Sequence, residues 1–229
     1  LKFGYPFIYA GIAFWIFGSM DRWMIASMIN LEETGVYSIS FRFVSIVLFV
    51  SIAFGNAWSP YAMKLRNDSP EIYREIYVHV LFILIFVMLI IGTIVALFSG
   101  ELIGLILPKQ YYGSAMPLTI LCFGMILQST TQVTAIGISI KKRTILFARI
   151  AWLSAIINLA LNYILIPIYG IDGAAWATTL SYLVLTTCYL IFSQQIHPLP
   201  IPWNKLLLML LIFCVLLLFS IFLNTTVLS

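Results

Sequence analysis

Asp21 and Arg22 stand side by side in FGSMDRWM, inside an apolar run that begins near Phe3 and ends near Ile29. A charge at the centre of a membrane helix costs roughly 2.5–3.5 kcal/mol on insertion scales, so two neighbouring charges there need a use. Arg42 is a third charge in such a run, and only a short turn around Glu32–Thr34 separates the two runs. At about 1.5 Å per residue, the Asp21–Arg22 step lies about 13–15 Å from the end that the runs share, and Arg42 about 10 Å. An antiparallel hairpin therefore brings all three to similar depth. Asp21 can pair with either arginine, and one positive charge is left over. That surplus needs a water-filled cavity or an anionic ligand. The plainer alternative is an internal ion pair that ties the two helices together.

Two further sets of polar residues interrupt apolar runs. Gln128, Thr131 and Gln132 in QSTTQVT share a helix face at i, i+3, i+4, and Ser154, Asn158 and Asn162 form a stripe at i, i+4, i+8. Such groups either hydrogen-bond between helices or line a hydrophilic lumen, and their types do not separate the two. Arg149 sits near the end of its run, where it can snorkel to the interface. Gly173, Ala177 and Ser181 form a small-residue ridge, as do Gly55 and Ser59, which suits close helix packing. His79 and His197 have no acidic or cysteine partner at ligand spacing, so no metal site is expected. Cys122, Cys188 and Cys214 fall in apolar segments, where a cysteine behaves as a small hydrophobe. No Walker loop, Gly-x-Ser-x-Gly or HExxH is present, so neither a nucleotide-driven pump nor a membrane hydrolase finds its machinery here.

The elements that must position these residues follow from composition. The 229 residues are 62% hydrophobic and only 9% charged, with a mean hydropathy of +1.07. Soluble domains carry about 25% charged residues. Lipid is the solvent, and the fold class is all-α. A spanning helix needs about 20 apolar residues, and seven stretches qualify, at 3–29, 35–62, 77–99, 114–139, 145–167, 172–193 and 205–224. Pro167 and Gly170 are expected to end the fifth helix, with Asp172 capping the sixth. One set of loops holds Lys2, Lys64, Arg66, Arg74, Lys141, Lys142, Arg143 and Lys205, eight in all, against Lys109 alone on the other side. That bias predicts a cytoplasmic N-terminus for the segment. The net charge of +4 belongs to this topology and not to nucleic-acid binding. The chain begins with Leu1 and shows no signal-peptide pattern, and it is expected to be the C-terminal part of a longer membrane protein.

Three motifs then point to a family. DRWMIASMINLEETGVYSISFRFVS, ILPKQYYGSAMPLTIL and IPIYGIDGAAWATTLSYLV, in that order and spacing, resemble the C-terminal lobe of the polysaccharide-transporter (oligosaccharide flippase, Wzx-type) family. In that family an Asp-Arg step is followed by Gly-x-Tyr-Ser at the next helix start, here Gly35 to Ser38. The resemblance covers about residues 1–195 and places the family with multidrug/cation antiporters and peptidoglycan-precursor flippases. It implies a six-helix, MATE-like second lobe at 1–195, an additional helix and tail at 196–229, and a missing N-terminal lobe forming the other half of a central cavity.

The implied activity is export of an undecaprenyl-diphosphate-linked oligosaccharide (an O-antigen or exopolysaccharide repeat unit) across the bacterial inner membrane by alternating access. Arg22 and Arg42 would meet the anionic head group. Asp21 is the acid at depth able to take a proton or cation, giving H+ or Na+ coupling with no other cofactor. Gln128, Thr131, Gln132, Ser154, Asn158 and Asn162 would line the sugar-facing cavity. Membrane lipid and the polysaccharide polymerase machinery are the further partners implied. A drug or cation antiporter is the alternative within transport, disfavoured by the net positive charge at depth. A glycolipid enzyme or polymerase would want a larger extramembrane loop than residues 100–113 provide. A purely structural scaffold leaves the buried charges without a purpose.

Overall fold

The computed structural model describes residues 5–141 and 143–227, and helices dominate them. The first hairpin joins α1 (Tyr5–Met28) to α2 (Leu31–Asp68). Its turn is set by Asn30, whose extended backbone precedes α2 and whose side chain accepts the Glu33 N–H at 2.7 Å. An Asn at the cap satisfies one of the N–H groups that a helix start leaves orphaned. α2 then runs through Pro60 for 38 residues without a break. That is about 57 Å of helix, well beyond the roughly 30 Å of a hydrocarbon core.

α3 (Tyr73–Leu97) is followed by the short α4 (Ser99–Ile106) and a 3-10 turn over Lys109–Ser114. The passage expected at 114–139 is present but not continuous. It is divided into α5 (Ala115–Ser129), α6 (Thr131–Thr134) and α7 (Ile136–Ile140). The cause is local chemistry. Ser129, Thr130, Thr131 and Thr134 each turn a hydroxyl back onto a carbonyl three or four residues earlier, at 2.6–3.0 Å. Back-bonding of this kind competes with the helical ladder and bends it.

α8 (Thr144–Ile196) folds back on itself at Gly170, whose φ of 60° and ψ of −137° are closed to most L-residues. Gly173, one turn on, lies so close to the Leu165 carbonyl that a Cβ there would collide with it. The break falls where Pro167 and Gly170 suggest, but Asp172 does not cap the second arm: its Oδ1 is buried without a hydrogen-bond partner. α9 (Trp203–Val227) completes the bundle.

Among the described residues five helical stretches are long and apolar enough to cross a membrane: α2, α3, Lys109–Ile140, α8 and Trp203–Thr225. α8 supplies two passages because it doubles back. α1, at 24 residues, is about 36 Å long and also sufficient. Each of the seven expected passages therefore has its helix, and the chain is a polytopic, all-α membrane protein. The Lys109–Ile140 stretch forms the centre of the lobe, 72% buried, while α9 lies at its rim, 11% buried. α8 packs against both α1 and α5, which sets the first arm of α8 beside Asp21.

Candidate functional site

Asp21 points into the lobe and is 2% exposed. Three elements converge on its carboxylate. From α2, the Tyr37 hydroxyl donates to Oδ2 at 2.8 Å. From the second arm of α8, the Thr178 hydroxyl donates to the same oxygen at 2.6 Å. From the first arm, the Asn162 amide donates to Oδ1 at 2.7 Å. Asn162 also donates to Asn158 Oδ1 at 3.1 Å, and the Asn158 amide reaches the Thr178 hydroxyl at 3.3 Å. The network thus spans both arms of the α8 hairpin and both helices of the α1–α2 hairpin.

Neither arginine belongs to it, which corrects the expected pairing. Arg22 leads away from its neighbour: its Nη2 donates to the Gly18 carbonyl at 2.6 Å, and the guanidinium lies over the Phe41 ring, 5.1 Å from its centroid. Successive residues on a helix point about 100° apart, so an Asp facing the interior leaves the next residue off that face. The acid is buried, Arg22 is half-buried against Phe41, and Arg42 is exposed.

The stripe on the first arm of α8 is likewise turned inward. Ser154, Asn158 and Asn162 are fully buried, and two of them are partners of Asp21. Gln128, Thr131 and Gln132 are half-buried and belong to a separate contact with α2. There Ser51 Oγ meets Gln128 Oε1 at 3.5 Å, and Gln132 lies against Gly55 so closely that a Cβ would clash with it. Tyr37 and Thr178 are the two site residues that spacing alone does not single out. Both sit in the stretches that carry the family resemblance, Gly35-Val36-Tyr37-Ser38 and Ala177-Thr178-Thr179, and Thr178 also adjoins the Gly173–Ala177–Ser181 ridge.

The electrostatics are unusual. The Asp21 carboxyl accepts three hydrogen bonds from neutral groups, and among the described residues no cation is hydrogen-bonded to it. Burying a charge without a counterion is costly even when it is hydrogen-bonded. Close by, Asn162 Oδ1 and Ser154 Oγ are buried and have no hydrogen-bond partner. A carboxylate, amide oxygens and hydroxyls form a hard, all-oxygen donor set of the kind that suits a proton or an alkali or alkaline-earth cation, not a transition metal.

A lobe of this architecture defines a class before it defines a protein: the fold is that of a MATE transporter half. The Vibrio cholerae MATE transporter VcmN in its bent form superposes with a TM-score of 0.75 at 16% identity, covering 96% of this chain and 53% of that one. The family model described as polysaccharide biosynthesis protein matches residues 1–116, just over half of the chain, and the chain belongs to that family. A probable low-salt glycan biosynthesis flippase, Agl15 of Haloferax volcanii, is 27% identical over 185 residues, 80% of this chain and 39% of that protein. The chain therefore spans only about half, or less, of the proteins it matches. Those relatives are a flippase and a transporter, not enzymes.

Proposed function

We propose that the protein is the second lobe of a flippase that moves a lipid-diphosphate-linked oligosaccharide across the membrane, driven by a proton or Na+ bound at Asp21. Membership of the polysaccharide biosynthesis family supports the cargo class, and the named flippase relative supports the activity. One observation carries the coupling role: the Asp21 carboxylate is buried among neutral donors beside unpartnered oxygens. Such a group is stable when it takes up a proton or a cation and unstable when bare. Its ligands come from two hairpins, so loading the ion draws α1 and α2 onto α8, and release loosens them. A carrier couples its gradient in this way, by giving the ion different affinities in two arrangements.

In this reading the cargo is undecaprenyl-diphosphate-linked and the membrane is the bacterial inner membrane. The N-terminal end of α1 faces the cytoplasm, as the loop charges favour. The N-terminal lobe supplies the facing wall, and Arg22 and Arg42 on the open side meet the diphosphate. The polymerase machinery receives the flipped product. An antiporter for cationic drugs would need an acid presented to the cavity, and Asp21 at 2% exposure is not presented.

The test uses the full-length gene, deleted in its own host and restored. Accumulation of lipid-linked glycan on the cytoplasmic side, with loss of surface polysaccharide, supports the flippase when the wild-type gene reverses both. Unchanged surface glycan with altered sensitivity to cationic drugs would overturn it in favour of the antiporter. Arg22→Ala/Arg42→Ala restoring normal transport at normal protein level would remove the head-group role alone.

A further inference from the structure

The segment that joins α8 to α9 reads HPLPIPW, with prolines at 198, 200 and 202. A proline fixes its own φ and holds the residue before it extended, and burial alternates along the segment. Leu199 and Ile201 are buried. Gln194 clamps the loop, donating to the Leu199 carbonyl at 3.1 Å and accepting its N–H at 2.6 Å. Pro200 and Pro202 are thereby held at the rim of a groove between α3 and α9. The groove encloses about 1300 Å³, walled by Phe82 and Ile83 of α3 and by Leu208 and Ile212 of α9. A second hollow of about 720 Å³, bordered by Phe86, Ile90 and Leu216, shares Met209 and Ile212 with it and extends it along the same seam. A water takes about 30 Å³, so this is space for a ligand.

Three polar side chains stand at the mouth: Glu75 and His79 of α3, and Lys205 of α9. Glu75 and Lys205 are exposed and opposite in charge. Yet neither side chain has an ion-pair or hydrogen-bond partner among the described residues. Neighbouring charges do not fill the gap. Arg74 is turned onto the Tyr73 hydroxyl at 3.2 Å, and Glu71 lies outside the lining. The His79 ring has a fixed sense, because its Nδ1 lies 2.8 Å from the Glu75 carbonyl. A carbonyl only accepts, so Nδ1 carries the proton and the neutral ring offers Nε2 as an acceptor. The mouth therefore presents one cation and two acceptors above an apolar floor. A purely anionic head group would suit Lys205 and be repelled by Glu75. A choline has no N–H to give Glu75 or His79. A phosphate followed by a primary ammonium suits all three.

We infer that the α3–α9 groove is a binding site for a phospholipid with a primary-ammonium head group, of which phosphatidylethanolamine is the simplest. Lys205 takes the phosphate, Glu75 and His79 Nε2 take the ammonium, and an acyl chain lies along Phe82, Ile83 and Leu208. From Glu75 to Ile90 α3 rises about 22 Å, more than half of a hydrocarbon core of roughly 30 Å, so the seam accommodates a whole chain. The lipid has a structural use. α9 is the rim helix, 11% buried, and Asn224 fastens only its far end. A lipid held between Glu75 and Lys205 fastens the near end. This site does not depend on what the lobe carries.

Native mass spectrometry of the delipidated full-length protein tests this, with short-chain phosphatidylethanolamine, phosphatidylcholine and phosphatidylglycerol offered at equal concentration. The expected result is one retained phosphatidylethanolamine per chain. The other two lipids should bind at least about tenfold more weakly, the effect of losing a charge-assisted hydrogen bond. Glu75→Gln should erase most of the preference over phosphatidylcholine. Lys205→Gln should weaken phosphatidylethanolamine and phosphatidylcholine alike. Both positions are exposed, and a lipid-free Tm equal to wild type shows that each variant folds. Where a variant falls short of that, the three-lipid comparison on the wild type decides. Equal retention of the three lipids, or an unchanged preference in both variants, would overturn the site and leave ordinary boundary lipid. Preference for phosphatidylglycerol would overturn it in favour of a simple anion contact at Lys205. Displacement of the bound lipid by an equal concentration of an isoprenyl diphosphate would overturn it in favour of a polyprenyl chain.

Discussion

Two buried polar clusters hold this lobe together, and they are built on opposite terms. One surrounds Asn224 of α9. Its amide donates to the Ala96 carbonyl, the Thr119 hydroxyl and the Ser220 carbonyl at 3.0 Å each, and Ser99 donates to its Oδ1 at 2.9 Å. Ser99 and Thr119 also touch each other. Every one of these groups is neutral, and the three side chains at the centre are satisfied. The other cluster surrounds Asp21, where an ionisable carboxyl meets only neutral donors and two nearby oxygens have no partner. A neutral network whose central side chains are satisfied rigidifies the packing it sits in, even with Ser220 Oγ beside it unpartnered. An incomplete one around an ionisable group leaves oxygens free to take a proton or cation. The first pins the rim helix to the core, and the second is where the proposed proton or cation would bind.

The largest effect should follow from Asp21→Asn. The two donors on Oδ2 are hydroxyls, from Tyr37 and Thr178, and a hydroxyl can rotate to accept. The new amide therefore finds partners, and the fold survives. Gradient-driven transport in proteoliposomes is expected to fall to the level seen without a gradient. Thermal stability should stay level or rise, since the substitution removes a buried ionisable group while the amide keeps hydrogen-bond partners. Retained gradient dependence would show that the two clusters do not differ in the way described. Asn224→Ala should do the converse. It leaves Ser99, Thr119 and the Ala96 carbonyl short of partners and costs about 2–4 kcal/mol, read as a lowered Tm. Transport per folded molecule should be unchanged. Tyr37→Phe sharpens the contrast at smaller scale: removing one of two donors on Oδ2 costs about 1 kcal/mol, seen as a several-fold weaker dependence on the driving ion.

Much of this was legible in the sequence, for a physical reason. Spanning helices are selected by length and apolarity, so the seven passages can be read from runs of residues, and a charge at depth announces itself by its cost. Asp21 was therefore visible, as was the Asn158–Asn162 stripe. Their meeting was not, because it depends on the rotation of α1 and α8 about their axes. Neighbouring residues on a helix point in different directions, and for that reason Asp21 and Arg22 separate. Tyr37 and Thr178 carry no charge and break no pattern. The interruption of the fourth passage also lay beyond an apolarity count, although four back-bonding hydroxyls within Ser129–Thr134 were its cause.

A third polar contact lies at the end of α8, outside both clusters, and gives the smallest effect. His197 follows the last turn and is buried. Its Nε2 lies 3.3 Å from the Tyr73 hydroxyl, which also accepts from Arg74 Nε at 3.2 Å. Burial, and then the positive charges of Arg74, Arg66 and Lys141, push the imidazole below its ordinary 6.5. The sign follows from which state takes the proton more readily. Above 6.5 the ring is neutral whether folded or not, and it costs nothing. As pH falls below 6.5 the unfolded chain binds a proton that the native site resists, so stability declines through the window beneath 6.5. The wild type should therefore lose Tm between about pH 7.5 and about pH 5.5, and His197→Gln, which keeps a polar group near Tyr73, should lose less. Equal losses in the two proteins would mean that His197 stays uncharged or finds relief in water. Because His197 shares no partner with Asp21 or Asn224, the same substitution should leave the ion dependence of transport unmoved. A shift in that dependence would mean that the end of α8 and the Asp21 cluster respond as one unit.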